Sequence, residues 1–421
     1  MRLLADTRPL RNPNFRRLWL AGIVTVIGGQ LSIVAVPQQI FEITRSSGFV
    51  GLTGIFALVP LIVFGLWGGA LADAMDRRRL MFLSSSGLVL TSIAFWIQAE
   101  LGNRNVWLVL MLLAVQQACF AVNQPTRSAI LPRILPGRDL AAATSLNMTV
   151  FQFGAIVGPV LAGVLIPVIG LPTLYLLDSI ALLFTLWAVV RLPALPPTGP
   201  TRRAGLREVA EGFRYLAGQK VLLASFLVDI IAMVFGMPRA LFPQIAQESF
   251  GDPTEGGIAL GLLYAAMSVG AVLGGVFSGW LPRVRRQGLG VLVCITLWGL
   301  AMVGFGVAVG VASPDASRTV LWVALGFLAF GGAVDMVSAA LRQAMLLTVA
   351  TDELRGRLQG VFIVVVAGGP RIGDLLHGVA AASLGTAVAA AGGGVLVVIG
   401  VVISAVAMPA FVRYRYVPEA R

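Results

Sequence analysis

Apolar stretches of about twenty residues recur along the whole of this 421-residue chain, and short connections between them carry most of the charge. At 1.5 Å per residue, an α-helix of roughly twenty residues covers the ~30 Å hydrocarbon core of a bilayer. A water-soluble fold of this size has no core that could bury so many such stretches, because 57% of the residues are hydrophobic and only 12% are charged. The chain is therefore expected to be an all-α membrane protein. Its 49 glycines and 22 prolines would disrupt helices in water. Transmembrane helices tolerate them, and small residues let helix backbones approach closely.

Hydropathy places twelve spans near 18–42, 49–72, 80–99, 105–126, 140–166, 172–190, 221–247, 256–281, 288–311, 319–341, 356–383 and 386–411. The arginine-rich start followed by an apolar stretch resembles a signal peptide, but that stretch is too long and no small-residue cleavage pattern follows it, so it is expected to be the first span. Twelve spans put both termini on one side. That side carries Arg2, Arg8, Arg11, Arg16, Arg17, Arg77, Arg78, Arg79, Arg127, Arg133 and Arg138. It also carries Arg191, Arg202, Arg203, Arg207, Arg214, Lys220, Arg283, Arg285, Arg286, Arg355, Arg357, Arg413, Arg415 and Arg421. The opposite loops hold only Arg45, Arg104 and Arg318, so the positive-inside rule makes both termini cytoplasmic. The formal charge of +12 thus reports topology rather than nucleic-acid binding. Cys119 and Cys294 fall inside predicted spans, where small buried apolar side chains are expected, not a disulfide or a metal site.

The longest connection divides the chain into residues 1–190, a cytoplasmic linker at 191–220 whose 206–217 stretch suits a short amphipathic surface helix, and residues 221–421. The halves repeat each other. GGALADAMDRRR after span 2 aligns with GGVFSGWLPRVRR (274–286) after span 8, Gly69 and Gly275 being 206 residues apart. RSAILPRILPGRDL after span 4 aligns with RQAMLLTVATDEL (342–354) after span 10, with Arg127 and Arg342 215 apart. Two six-helix halves related by an axis along the membrane normal form a transporter architecture, with the substrate site expected near the midplane.

Gly69-x-Leu71-Ala72-Asp73-x-x-x-Arg77-Arg78 resembles the loop signature of the major facilitator superfamily, with Ala74 in place of the usual basic residue and Asp76 in place of the usual glycine. GAIVGPVLAG (154–163) is similar to the antiporter motif of that superfamily's proton-coupled efflux members, through Gly154, Gly158, Pro159 and Gly163, with Ala162 at the first paired glycine. DELRGRLQG (352–360) resembles the loop before helix 11. VAVPQQI (34–40), RALFPQIA (239–246), LLYAAMSVGAVLGGVFSG (262–279) and GDLLHG (373–378) resemble the superfamily's siderophore-exporter branch, which handles enterobactin. The resemblance implies that Asp73 and Arg77 or Arg78 close the cytoplasmic side against the start of helix 11. It also makes span 5 a hinge that favours exchange over uniport.

Charge inside a span is costly and is usually kept for function. The candidates for proton coupling are Asp335, Asp374, Asp229, Asp178 and His377, and those for an anionic substrate are Arg239 and Arg371. Arg371, Asp374 and His377 recur every three residues, on one side of a helix. An anion binding to Arg371 would release Asp374 to take up a proton; a static Arg371–Asp374 pair is the alternative. Arg342, aligned with Arg127, is placed at the cytoplasmic end of span 10 without a transport role. Gln30, Gln38, Gln39, Gln116, Gln117, Phe120, Asn147, Phe151 and Gln152 fall in spans 1, 4 and 5, which line the cavity in the resembling family; interhelical hydrogen bonds are the alternative for the amides.

A bacterial inner-membrane exporter follows as the leading expectation, a monomer that exchanges a siderophore-like metabolite or drug for protons. Its partners are the lipid bilayer, a small-molecule substrate and protons, with no cofactor beyond the proton gradient and no nucleic acid. Lysophospholipid transport and a non-transporting sensor or scaffold are the alternatives. An enzyme is not expected: no GxxxxGK[ST] or HExxH occurs, and the chain holds a single histidine.

Overall fold

The computed structural model describes residues 6–196, 219–313, 317–349 and 352–415. The first half begins with α1 (Pro13–Thr44), α2 (Ser47–Ala74), α3 (Arg77–Glu100) and α4 (Val106–Ile134). Gly137–Val190 then runs as a 54-residue helix, ~80 Å at the standard rise and too long for one crossing. Gly170 resolves this, since its φ of 75° and ψ of 165° end α5 (137–169) and start α6 (171–190) ahead of Pro172. A residue with a Cβ would be strained at that φ, so glycine sets this boundary between spans.

In the second half, span 7 is broken. It comprises α7 (Lys220–Phe235), a 3₁₀ turn at Arg239–Leu241 and α8 (Phe242–Glu248). Hydropathy reads 221–247 as one span because Gly236 and Pro238 interrupt the helix without interrupting the apolar run. Then follow α9 (Ile258–Val276), a 3₁₀ turn at Ser278–Arg283, α10 (Gln287–Val311), α11 (Ser317–Val349), α12 (Asp352–Leu384), α13 (Thr386–Ala407) and the short α14 (Pro409–Val412). Ten segments of the described residues are long and apolar enough to cross a membrane. Dividing the longest at Gly170 and adding α12 gives twelve spans. Leu90, Val168, Trp322 and Val406 are exposed, as suits side chains facing lipid.

Packing separates two units. One holds α1, α2 from Phe56, α3–α6 and Glu255–Gly261; the other holds α2 up to Ile55, α7, α8 and the remaining later helices. In the first, α1 packs along Gly137–Val190, and α3 lies against both that element and α4. In the second, α10 packs on α11 and α13, and α7 on α12 and α13. Glycines set the closest approaches. A Cβ on Gly158 would lie 2.4 Å from Gln30 Cβ, and one on Gly261 would lie 2.4 Å from the Pro159 carbonyl oxygen. Cys119 and Cys294 are both free thiols.

Candidate functional site

In the first unit a polar seam runs down α1 at seven-residue steps, which keep one helix face. Thr25 meets Thr185 at 2.5 Å, and the Ser32 hydroxyl donates to Asp178 Oδ2 at 2.7 Å. Gln39 exchanges two hydrogen bonds with Gln98 and accepts a third from the Tyr175 hydroxyl at 2.9 Å. Ser92 also donates to Asp178 Oδ2, at 3.1 Å. Asp178 is 1% exposed, and no cation among the described residues pairs with it. The sequence reading left Gln38 and Gln39 either lining a cavity or making interhelical hydrogen bonds. Both are buried, and the bonds of Gln39 run to α3 and α6, so its amide joins helices. Gln30, Gln116, Gln117, Asn147 and Gln152 are half-buried, while Phe120 and Phe151 are exposed.

The span-5 glycines have a direct structural use. Gly154 and Gly158 seat Val26 and Gln30 of α1, and Gly163 lies against the backbone of Gly257 and Gly261. The side chains of Gly69, Ala72 and Asp73, and those at the start of α12, lie outside the described residues, as does the 206–217 segment. The rest of the loop is defined. Asp76 caps α3 by accepting from the Arg79 N–H at 3.0 Å, and its other oxygen accepts from the Leu195 N–H at 2.8 Å. Arg77 donates to the Ala129 carbonyl and Arg78 to that of Val190, so both arginines sit on carbonyls near helix C-termini, where cations are favoured.

The second unit holds the charge. Arg342 is 5% exposed, with Nη2 2.8 Å from Asp229 Oδ1 and 3.8 Å from Asp335 Oδ1, and it donates to Ser338 at 3.0 Å. The sequence expectation put Arg342 at the cytoplasmic end of span 10 and did not anticipate that it is a buried cation between two carboxylates. The spacing Asp335–Arg342, seven residues on one helix face, was the available signal.

The break in span 7 faces a second group. The Trp298 indole donates to the Gly236 carbonyl at 3.0 Å, satisfying an acceptor that no helical N–H reaches. The Tyr264 hydroxyl lies 3.5 Å from the Arg239 carbonyl. Asp374 is in electrostatic range of Arg239 and, less strongly, of Arg371, and the Ala240 N–H faces its carboxyl. Asp374 therefore has two arginines and a backbone donor around it, which is more than the pair on α12 expected from sequence. Arg371 and Asp374 also support close packing, since a Cβ on Gly54 would lie 2.0 Å from the Arg371 carbonyl oxygen. His377 is buried, its Nδ1 3.0 Å from the Gly373 carbonyl, and the Phe235 carbonyl at the end of α7 also faces the ring.

A twelve-span protein with repeated halves, a broken span and buried arginine–carboxylate groups has a close sequence match: the transmembrane secretion effector family aligns with residues 5–419. The chain belongs to this family, within the major facilitator superfamily. Relatives agree with the family assignment. The enterobactin exporter EntS of Shigella boydii serotype 4 is 30% identical over 417 residues, covering 97% of this chain and 94% of the relative. EntS of Escherichia coli O139:H28 matches to the same extent. Among solved structures, a bacterial homologue of the human lysosomal transporter Spinster superposes with a TM-score of 0.72 at 15% identity, covering 98% of this chain and all of that one. A D-xylose–proton symporter gives 0.69 at 12% identity, covering 93% and 97%. These two show the shared fold. This member of the transmembrane secretion effector family is a multi-pass membrane transporter and not an enzyme.

Proposed function

We propose that this transporter exports a siderophore-like organic anion from the cytoplasm in exchange for protons, by alternating access of residues 1–190 and 221–421 about the 191–220 linker. It works as a monomer in a bacterial inner membrane with both termini cytoplasmic, drawing on the proton gradient alone. The observation that carries the reading is Asp374 set among Arg239, Arg371 and the Ala240 N–H at the break in span 7. Broken spans with backbone groups turned inward suit polar ligands. The printed function of the 30% identical relative, enterobactin export, supports the substrate class.

The chemistry follows from charge balance. With the site empty, Arg239 and Arg371 supply positive charge near Asp374. An incoming anion takes over their hydrogen bonds, leaving Asp374 without a counter-charge in a poorly solvated place, where a proton must replace it. The substrate anion and the Asp374 carboxylate thus compete for one set of positive charge, which links substrate occupancy to the protonation of Asp374. Asp229, Arg342 and Asp335 form a second group of the same kind. Substrate-dependent proton flux in proteoliposomes tests this, with a panel of catecholate siderophores set against cationic dyes. Asp335→Asn and Asp374→Asn are expected to abolish coupled flux. No proton flux with any ligand, or unchanged flux in both variants, would overturn the proposal.

A further inference from the structure

The chain holds a single histidine, and the fold buries it beside the end of α7. His377 Nδ1 lies 3.0 Å from the Gly373 carbonyl, one turn earlier in α12. A carbonyl oxygen can only accept, so Nδ1 carries the proton and, in a neutral ring, Nε2 is bare. Nε2 is buried and makes no hydrogen bond among the described residues, yet the group that faces it is a second carbonyl, that of Phe235. Two acceptors are thus set against each other, without the proton that would join them. Phe235 is the last residue of α7, and the last four carbonyls of a helix have no N–H partner within it. Gly393 of α13 makes room for this meeting: a Cβ there would collide with the Phe235 oxygen and lie 2.6 Å from Nε2.

We propose that His377 is a proton-binding site, and that its second N–H ties α12 to the end of α7 and so fixes the break in span 7. An imidazolium has two N–H groups and satisfies both carbonyls at once, whereas a neutral imidazole satisfies one. The negative end of the α7 dipole favours the added charge. Away from the helix ends, the charged groups on the elements packed with α12 are Asp229 on α7, Arg239 on the 3₁₀ turn, and Asp335 and Arg342 on α11. Arg371 and Asp374 are on α12 itself, and α13 carries none. The polar groups acting on the ring among the described residues are the two carbonyls. Asp374 stands three residues before His377, and the Ala240 N–H faces its carboxyl from the same break. A proton on His377 therefore holds Phe235, and with it the turn that brings Arg239 and Ala240 to Asp374. This makes His377 a positioning residue for that group, a role that goes beyond the export reading and needs no substrate.

The single histidine makes the test direct. Full-length protein, purified without a histidine tag and isotope-labelled in its imidazole nitrogens, is placed in phosphatidylcholine nanodiscs. Solid-state NMR reads the ring across about pH 5–8, the range in which histidine titrates. One protonated and one bare nitrogen are expected at the upper end, and two protonated nitrogens at the lower. Hydrogen exchange at the end of α7, corrected for its intrinsic pH dependence, is expected to slow about tenfold over the same transition, as one charge-assisted hydrogen bond allows. Exchange along α1 stays unchanged. His377→Gln keeps a polar side chain that cannot titrate, and it loses the slowing. Gly393→Ala holds the Phe235 carbonyl off Nε2 and lowers the transition by about one pH unit or more. A ring that keeps one bare nitrogen throughout would overturn the proposal. So would a transition with α7 exchange no slower than in His377→Gln, or one unmoved in Gly393→Ala. Should Gly393→Ala not fold, the first two outcomes still decide. None of these readouts uses a substrate, so they stand or fall apart from the proton flux that tests export.

Discussion

The two halves descend from one pattern but manage polarity inside the membrane in opposite ways. The first half uses hydroxyls and amides: Thr25, Ser32, Gln39, Ser92 and Gln98 bond across α1, α3 and α6, with Asp178 as the acid among them. Its α1 stays continuous through Pro37. The second half uses ion pairs around Arg342 and a broken span beside Arg239 and Asp374. Neutral hydrogen-bonded seams hold helices in one arrangement, because each group already has its partner. Charges with exchangeable partners allow a change of state when a ligand or proton arrives. The difference teaches that a duplicated fold can satisfy its buried polar groups in two ways, with neutral hydrogen bonds in one half and ion pairs in the other.

The comparison breaks most sharply at the paired arginines. Arg342→Ala removes the cation from between Asp229 and Asp335 and leaves the buried Asp229 carboxylate and the half-buried Asp335 without it, at a cost of about 3–5 kcal/mol. Arg127→Ala strands no carboxylate among the described residues, and its effect on stability is expected to stay within about 1 kcal/mol. Thermal unfolding of the two variants in the same detergent checks this. Adding Asp229→Asn to Arg342→Ala is expected to recover part of the loss, because it removes a charge left behind. Equal destabilisation by the two single variants would mean that the halves carry their arginines in the same way.

Much of this was legible in the sequence, for physical reasons that also set the limit. Span number and type were readable because a bilayer demands about twenty apolar residues whatever the fold. The repeat was readable because the basic loops recur at matching offsets. The break in span 7 was not, since hydropathy is blind to backbone geometry, although Gly236 and Pro238 were a usable cue. The burial of Arg342 between two carboxylates was missed because alignment with Arg127 was taken to mean the same environment. The partners that decide an environment, Asp229 for Arg342 and Gly22 for Arg127, lie more than a hundred residues away from their arginines. The bonding of Gln39 to Gln98 and Tyr175 was likewise hidden, since an amide that joins helices and one that faces a cavity look alike in sequence.

A smaller effect is expected where the second half departs from a continuous helix. Trp298→Phe keeps the ring but removes the N–H that satisfies the Gly236 carbonyl. Leaving that acceptor unpaired costs about 1–3 kcal/mol. The loss should appear locally as faster amide hydrogen exchange at the end of α7, with exchange along α1 unchanged. Protection that falls equally in α1 and α7 would show that the break is not a separate element of the second half.

The smallest expected effect concerns Asp76, which the first half has and the second lacks. Its two oxygens hold the N-terminus of α3 and the Leu195 N–H, while the Arg77 N–H donates back to the Leu195 carbonyl at 3.1 Å. The chain leaving α6 is therefore fastened to the loop after α2 by paired bonds, with Leu192 and Leu195 packed among Leu18, Met81 and Ile130. In the repeat, residues 278–283 form a 3₁₀ turn with no buried residue, so nothing comparable anchors there. Asp76→Asn keeps one oxygen for the cap of α3 but turns an NH2 donor toward the Leu195 N–H, so it retains the cap and loses the bond to Leu195. Asp76→Ala loses both bonds, at about 1 kcal/mol for the cap alone. Because the apolar contacts of Leu195 persist, the helices should stay folded while the chain beyond Leu195 becomes easier to cleave. Limited proteolysis reads this directly: faster cutting after residue 195 in both Asp76→Ala and Asp76→Asn, with the N-terminus of α3 loosened only in Asp76→Ala. Equal cutting in all three would mean that the leucines alone fasten this segment, and that Asp76 serves only as the cap of α3.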